Sequence, residues 1–80
     1  IPKRYNKIKG DFMRLKEIRT KSGISQLKLA MDLNMNQNTI SRYEIGDREP
    51  GINDLIKIAD YFNVSVDYLI GRTENPKMNR

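Results

Sequence analysis

The sequence predicts an all-α domain built from five short helices. Apolar residues recur at helical rather than alternating spacing through most of the 80 residues. Side chains that cap helix starts stand just before these apolar runs, and Gly or Asn, which tolerate left-handed backbone, stand just after them. A chain of this length buries only about 60–65% of its unfolded surface, so we expect one domain with one modest core.

Helices 1 and 2 are predicted from their end signals. Asp11 is the expected N-cap of helix 1, and Gly23 ends it. Ser25 caps helix 2, which ends at Asn34. The apolar residues that these two helices are expected to turn inward are Phe12, Leu15, Ile18, Leu29, Ala30 and Leu33.

Helices 3, 4 and 5 follow with similar signals. Asn36 caps helix 3, and the turn-forming residues 46–51 separate it from helix 4, which covers residues 53–62. Ser65 together with Asp67 starts a last short helix before Gly71. The residues expected inward here are Ile40, Tyr43, Leu55, Ile56, Ile58, Ala59, Phe62 and Leu69.

The charge distribution divides the chain into three parts. Residues 1–10 form a basic N-terminal arm without any acidic residue, residues 11–71 form the domain, and residues 72–80 are a C-terminal tail or a truncated linker. The net charge of +5 favours a polyanionic partner, although a short basic terminus is also commonly just solvated. The basic residues of the arm are Lys3, Arg4, Lys7 and Lys9.

Composition argues against several function classes. The sequence has no Cys and no His, which removes disulfides, zinc fingers and the commonest general base and metal ligand. It also lacks a Gly-rich phosphate loop, so we expect no enzyme, no metal and no cofactor. No apolar run approaches the roughly 18 residues that span a bilayer, and we expect a cytoplasmic protein without a membrane partner.

The informative feature is a pair of short helices at 25–33 and 36–45 joined by a three-residue turn, which is the spacing of a helix-turn-helix. Amide side chains match adenine and Arg matches guanine in the major groove. The alternative is that these polar residues only cap the helix and cover its surface. The outward positions of the second helix, predicted to read bases, are Gln37, Asn38, Ser41 and Arg42.

Residues 14–71 resemble, without a gap, the Cro/CI-type helix-turn-helix regulators of bacteria and phages, the XRE family. The matching motifs are SQ at 25–26, TISRYE at 39–44, the turn at Pro50, KIA at 57–59 and VSVDYLIG at 64–71. The resemblance implies a five-helix, lambda-repressor-like DNA-binding domain. It also implies contacts to the DNA backbone from Ser25, Gln26 and Thr39, and from Arg48 in place of the Lys that the family often has at position 47.

The resemblance further implies an ion pair between Arg19 and Glu44 that fixes the second helix of the motif, and a dimer surface on the last helix at Val66, Tyr68 and Ile70. Four features depart from the family pattern. Asn34 replaces the turn Gly, Asp47 stands where a Lys often faces phosphate, Gly51 replaces a capping Ser or Thr, and Leu27 and Met31 replace charged surface residues.

The sequence therefore predicts a sequence-specific, double-stranded DNA-binding transcriptional regulator from a bacterium or phage. We expect a repressor that acts by occupancy, as a homodimer on a pseudo-palindromic operator with half-sites about 10 bp apart. One alternative is a DNA-binding antitoxin, or the DNA-binding half of a larger regulator whose sensor domain lies beyond Arg80. Another is a protein-interaction module that keeps the fold and binds a partner protein.

Overall fold

The computed structural model describes residues 13–77, which form five helices and no strand. The prediction of an all-α fold is therefore confirmed for this part of the chain. In the packing, α3 lies against α1 and α2, while α4 lies against α2 and α5. The helices are α1 (Leu15–Lys21), α2 (Gln26–Leu33), α3 (Gln37–Ile45), α4 (Ile52–Phe62) and α5 (Val66–Leu69).

Three helix starts are capped by the side chains that the sequence predicts. In α2, α3 and α5 the residue before the helix is extended, and its side-chain oxygen accepts a hydrogen bond from a backbone N–H of the first turn. Such a bond satisfies a donor that the helix start leaves without an intrahelical partner. The pairs, at 2.7–3.0 Å, are Ser25 with Lys28, Asn36 with Asn38, and Ser65 with Tyr68.

Left-handed residues end α2, α3 and α4 as predicted. Asn34 has φ 57°, Asn63 has φ 58° and Gly46 has φ 91°. After Asn34, the backbone N–H of Met35 donates to the carbonyl of Ala30 at 2.8 Å, which closes the helix end. The chain therefore turns from α2 into α3 within three residues, as a helix-turn-helix requires.

A single core holds the helices together. Leu15, Leu29, Ile40, Ile58 and Leu69 are fully buried, one from each helix. Burying one such side chain stabilises a fold by about 1.5–3 kcal/mol. Since α2 and α3 both contribute to this core, their relative orientation is set by packing as well as by the turn. The other buried apolar residues are Ala30, Leu33, Tyr43, Ala59 and Val64.

Two details differ from the sequence prediction. The first helix begins at Leu15 with Arg14 at its N-cap, later than a cap at Asp11 predicts; residues 11 and 12 themselves lie outside the described residues. Ile56, expected inward, is 44% exposed. The inward stripe of α4 follows residues 55, 58, 59 and 62, and at about 100° per residue Ile56 falls outside that stripe.

The segment after α5 contacts the domain. The backbone N–H of Ser65 donates to the carbonyl of Pro76 at 2.9 Å. The Arg14 Nη2 atom donates to the carbonyl of Thr73 at 3.1 Å and lies 3.3 Å from the Glu74 carboxylate. Residues 73–76 therefore pack beside the start of α1. No helix in residues 13–77 has both the length and the apolar content needed to cross a membrane.

Candidate nucleic-acid interface

The starts of α2 and α3 border a shallow, open groove. Its volume is about 410 Å³, and every side chain that lines it is an uncharged amide or hydroxyl. Such side chains both donate and accept hydrogen bonds, as the edges of DNA bases and the sugar-phosphate backbone do. The lining residues are Gln26, Asn36, Gln37, Asn38 and Ser41.

The four residues predicted to read bases lie on the solvent side of α3. Gln37, Asn38 and Arg42 are exposed, and Ser41 is half-buried in the groove wall. The opposite side of α3 is buried through Ile40 and other core residues. The structure thus brings the four polar side chains to one accessible face over the first turn and a half of α3.

Asn36 belongs to this groove, although the sequence indicated only its capping role. Its Oδ1 atom accepts a hydrogen bond from the backbone N–H of Asn38 at 2.7 Å, which leaves its amide nitrogen as a donor beside the groove. Asn36 lies in the turn between α2 and α3, whose starts both line the groove. This position indicates that Asn36 can also contact a ligand in the groove.

Three of the residues expected to contact the DNA backbone lie at helix starts. Ser25 is exposed and caps α2, Gln26 is half-buried at the first position of α2, and Thr39 is half-buried in α3. The first N–H groups of a helix lack intrahelical partners and carry partial positive charge, which suits a phosphate. Arg48 is exposed in the turn after α3, away from these helix starts in sequence.

Glu44 is the buried polar residue at the centre of this arrangement. Its whole-residue exposure is 8%, and Arg19 reaches it from α1 with Nε on Oε2 at 2.6 Å and Nη2 on Oε1 at 3.1 Å. The hydrogen bond to Glu44 raises the pKa of Arg19, so the guanidinium stays charged. The ion pair implied by the family resemblance is present, and it ties α3 to α1.

Gln26 joins the same carboxylate. Its Nε2 atom donates to Glu44 Oε1 at 3.0 Å, a contact that the sequence analysis missed. A carboxylate only accepts hydrogen bonds, so the nitrogen of the Gln26 amide must face Glu44. One of the two N–H bonds of Nε2 is used there, and the other stays available to a ligand at the groove.

Two ion pairs lie on the surface of α2 and α3. Arg42 Nη1 lies 3.9 Å from Asp47 Oδ2, and both side chains are about half exposed. On α2, Lys28 pairs with Asp32 at 3.0 Å. Tyr61 of α4 donates its hydroxyl hydrogen to Asp32, and this bond lowers the pKa of that carboxyl.

The residues proposed for a dimer surface are partly covered within the chain. Val66 and Tyr68 pack against the core, and Ile70 is half-buried. The Arg14 guanidinium lies 4.4 Å from the centre of the Tyr68 ring, and Arg14 Nε donates to the Tyr68 carbonyl at 2.8 Å. More exposed apolar side chains are those of Leu27, Met31, Ile45, Ile52 and Ile56.

The predicted basic arm, residues 1–10, lies outside the described residues. Within residues 13–77 no group of three or more acidic residues is placed to hold a metal ion. Within residues 13–77 the candidate interface consists of the groove, the exposed face of α3 and the start of α2.

Comparison with known proteins agrees with this geometry. Residues 15–69 match the profile of a helix-turn-helix family. The chain is 44% identical over 66 residues to the HTH-type transcriptional regulator ImmR of Bacillus subtilis (strain 168), covering 82% of this chain and 52% of ImmR. It is 38% identical over 60 residues to the SPbeta prophage-derived uncharacterized HTH-type transcriptional regulator YonR of the same organism, covering 75% of this chain and 56% of YonR.

The chain thus spans about half the length of the curated relatives it matches. No solved structure shows a significant match. The profile covers all five helices, so the similarity includes the groove and the elements that position it.

Proposed function

Because the chain belongs to the helix-turn-helix family whose profile matches residues 15–69, we propose that it is a sequence-specific, double-stranded DNA-binding transcriptional regulator. It places α3 in the major groove and acts by binding rather than by catalysis. The relatives named as HTH-type transcriptional regulators support the same class of function.

The uncharged polar groove is the observation that carries the proposal. Gln37 and Asn38 are exposed in the first turn of α3, where an amide matches the N6 and N7 atoms of adenine. Arg42 follows one turn later and matches the O6 and N7 atoms of guanine. A surface that bound DNA only through charge would be lined by Lys and Arg instead.

The start of α2 supplies the contact that sets the register. Gln26 lines the groove, and Ser25 precedes it as the N-cap of α2, next to the first backbone N–H groups of the helix. A phosphate bound there is stabilised by these donors and by the second N–H of Gln26. The contact is independent of base sequence, so it positions α3 rather than specifying the site. We assign further contacts with the DNA backbone to Thr39 and Arg48.

The basic arm adds affinity that depends on salt. Its four cations, Lys3, Arg4, Lys7 and Lys9, release counterions when they approach phosphates. We assign it no role in choosing the sequence.

We propose repression by occupancy in the cytoplasm of a bacterial cell, with a homodimer on a pseudo-palindromic operator. One domain reads only about half a helical turn, so two copies about 10 bp apart are needed for a specific site. The assigned dimer surface is Val66, Tyr68 and Ile70. Sedimentation equilibrium of two variants bound to DNA tests this surface. Ile70→Arg changes the assigned surface, and Ile56→Arg, at an exposed position of α4, is the control. Only Ile70→Arg should weaken the dimer on DNA.

The share of each relative that the chain covers favours one refinement. The chain covers 52% of ImmR and 56% of YonR, and we propose that it acts as the DNA-binding half of a larger regulator. The second half would carry the response to a signal or to a partner protein.

Selection from a pool of random duplex DNA at near-physiological salt tests the proposal. We expect enrichment of a two-fold-symmetric site. Gln37→Ala should then lose about 1–3 kcal/mol of discrimination at one base pair of each half-site. Asn53→Ala, which removes an exposed amide from α4, serves as the control and should leave the selected site unchanged. A folded chain that enriches no sequence contradicts the proposal.

A further inference from the structure

The region that would face DNA has equal numbers of basic and acidic side chains. Residues 25–48 contain three basic and three acidic side chains. Lys28 is paired with Asp32, and Glu44 is buried on Arg19. The acidic side chain that remains next to the exposed face of α3 is Asp47.

The backbone holds Asp47 next to Arg42. The N–H groups of Gly46 and Asp47 both donate to the carbonyl of Arg42, at 2.9 and 3.2 Å. Gly46 has φ 91°, a left-handed conformation that folds the chain back over the end of α3. The carboxylate of Asp47 is therefore kept near the Arg42 guanidinium, 3.9 Å away, while both side chains stay half exposed.

The position of Asp47 affects binding to matched DNA and binding to unmatched DNA differently. On DNA without a suitable guanine, Arg42 keeps its carboxylate partner, so the pair is neutral and Arg42 adds no net attraction to a phosphate. On a matched site, the O6 and N7 atoms of guanine replace the carboxylate as acceptors for Arg42. Attraction to phosphates supplies nearly all sequence-independent affinity. An acidic side chain at this position therefore weakens sequence-independent binding more than it weakens binding to the matched site.

We propose that Asp47 is a specificity-determining residue, which suppresses sequence-independent DNA binding by neutralising Arg42 wherever no guanine replaces it. This inference rests on the DNA-binding function proposed above. It names an acidic side chain, rather than one that contacts a base, as a source of discrimination.

The test compares Asp47→Asn with a matched control, Glu17→Gln. Glu17 forms an exposed pair with Lys21 on α1, outside the groove and outside the assigned dimer surface. Both substitutions remove one negative charge and keep the side-chain shape. Binding of each variant and of the parent chain is measured on the selected operator and on an unrelated duplex, over a series of salt concentrations.

We expect Asp47→Asn to tighten binding to the unrelated duplex at least threefold more than Glu17→Gln does. The slope of log K against log salt should steepen by about 0.9, the value for one added phosphate contact. The ratio of operator to unrelated affinity should fall. Equal shifts in the two variants, or an unchanged ratio, would overturn the role of Asp47. A parent chain that binds no duplex would instead overturn the proposed function, and this inference with it.

Discussion

Gln26 donates a hydrogen bond to the buried carboxylate of Glu44 at 3.0 Å, although the two residues lie 18 positions apart in sequence. Arg19 binds the same carboxylate through two of its nitrogen atoms. One acidic side chain therefore connects the end of α1, the start of α2 and the last turn of α3. The pose of α3 depends on this contact as well as on the apolar core.

Replacing Glu44 by Ala should strongly destabilise the fold. It leaves the Arg19 side chain, which is 12% exposed, without its carboxylate partner, and breaking one side of a buried pair costs about 3–5 kcal/mol. Urea unfolding measures the loss. Glu17→Ala is the control, because its pair with Lys21 is exposed and contributes less than about 1 kcal/mol. If Glu44→Ala unfolds at the same urea concentration as the parent, the pair is not structural.

Tyr43 should make the fold sensitive to alkaline pH. Its hydroxyl donates to Asp54 Oδ2 at 2.6 Å, and burial together with this bond raises its pKa to about 12. A raised pKa means that its stabilisation is complete below the unfolded value of about 10 and is lost as pH rises through about 12. Tyr43→Phe should cost about 1–2 kcal/mol at pH 8.

The measurement is the free energy of unfolding of the parent and of Tyr43→Phe at pH 8 and from pH 10 to 12. The difference between them should shrink over the alkaline range. Tyr61→Phe is the control variant. The hydrogen bond to Asp32 raises the pKa of Tyr61 as well, but its hydroxyl is on the surface. A difference that stays constant up to pH 12 would contradict the assignment.

The turn between α2 and α3 should tolerate Gly but not Ala at position 34. Asn34 has φ 57°, a conformation that costs most L-residues about 1–2 kcal/mol and costs Gly nothing. Asn34→Ala should therefore destabilise by about 1 kcal/mol, and Asn34→Gly should be neutral or slightly stabilising in thermal melts. Asn63, at φ 58°, offers the same pair of substitutions as an internal comparison. Equal melting of the Ala and Gly variants would show that the backbone strain is absent.

Arg14 should control the attachment of residues 73–76. Its side chain donates to the carbonyls of Tyr68 and Thr73 and lies over the Tyr68 ring. Arg14→Ala should speed hydrogen exchange at the N–H of Ser65, which bonds to Pro76. Glu74→Ala is the matched control, because its 91% exposed carboxylate contributes little. Unchanged exchange at Ser65 in Arg14→Ala would show that the segment is held without Arg14.

Most helix boundaries followed from short stretches of sequence. Ser25, Asn36 and Ser65 each accept a hydrogen bond from an N–H two or three residues later. Asn34 and Asn63 take the left-handed conformation that Asn tolerates well. These interactions are local, so they can be predicted from residue type and position alone. The start of α1 was predicted too early, because its N-cap Arg14 makes no side-chain capping bond and carries no sequence signal.

Residue types and their spacing were enough to predict the fold class, the pair of helices with a short turn, and the polar residues on the exposed face of α3. Packing between distant segments determined the Gln26 contact with Glu44 and the contacts of Arg14 with α5 and Thr73. The partners in these contacts are far apart in sequence. A cap depends on neighbours within one helical turn, whereas these contacts join residues up to 59 positions apart and exist only once the core has placed the helices.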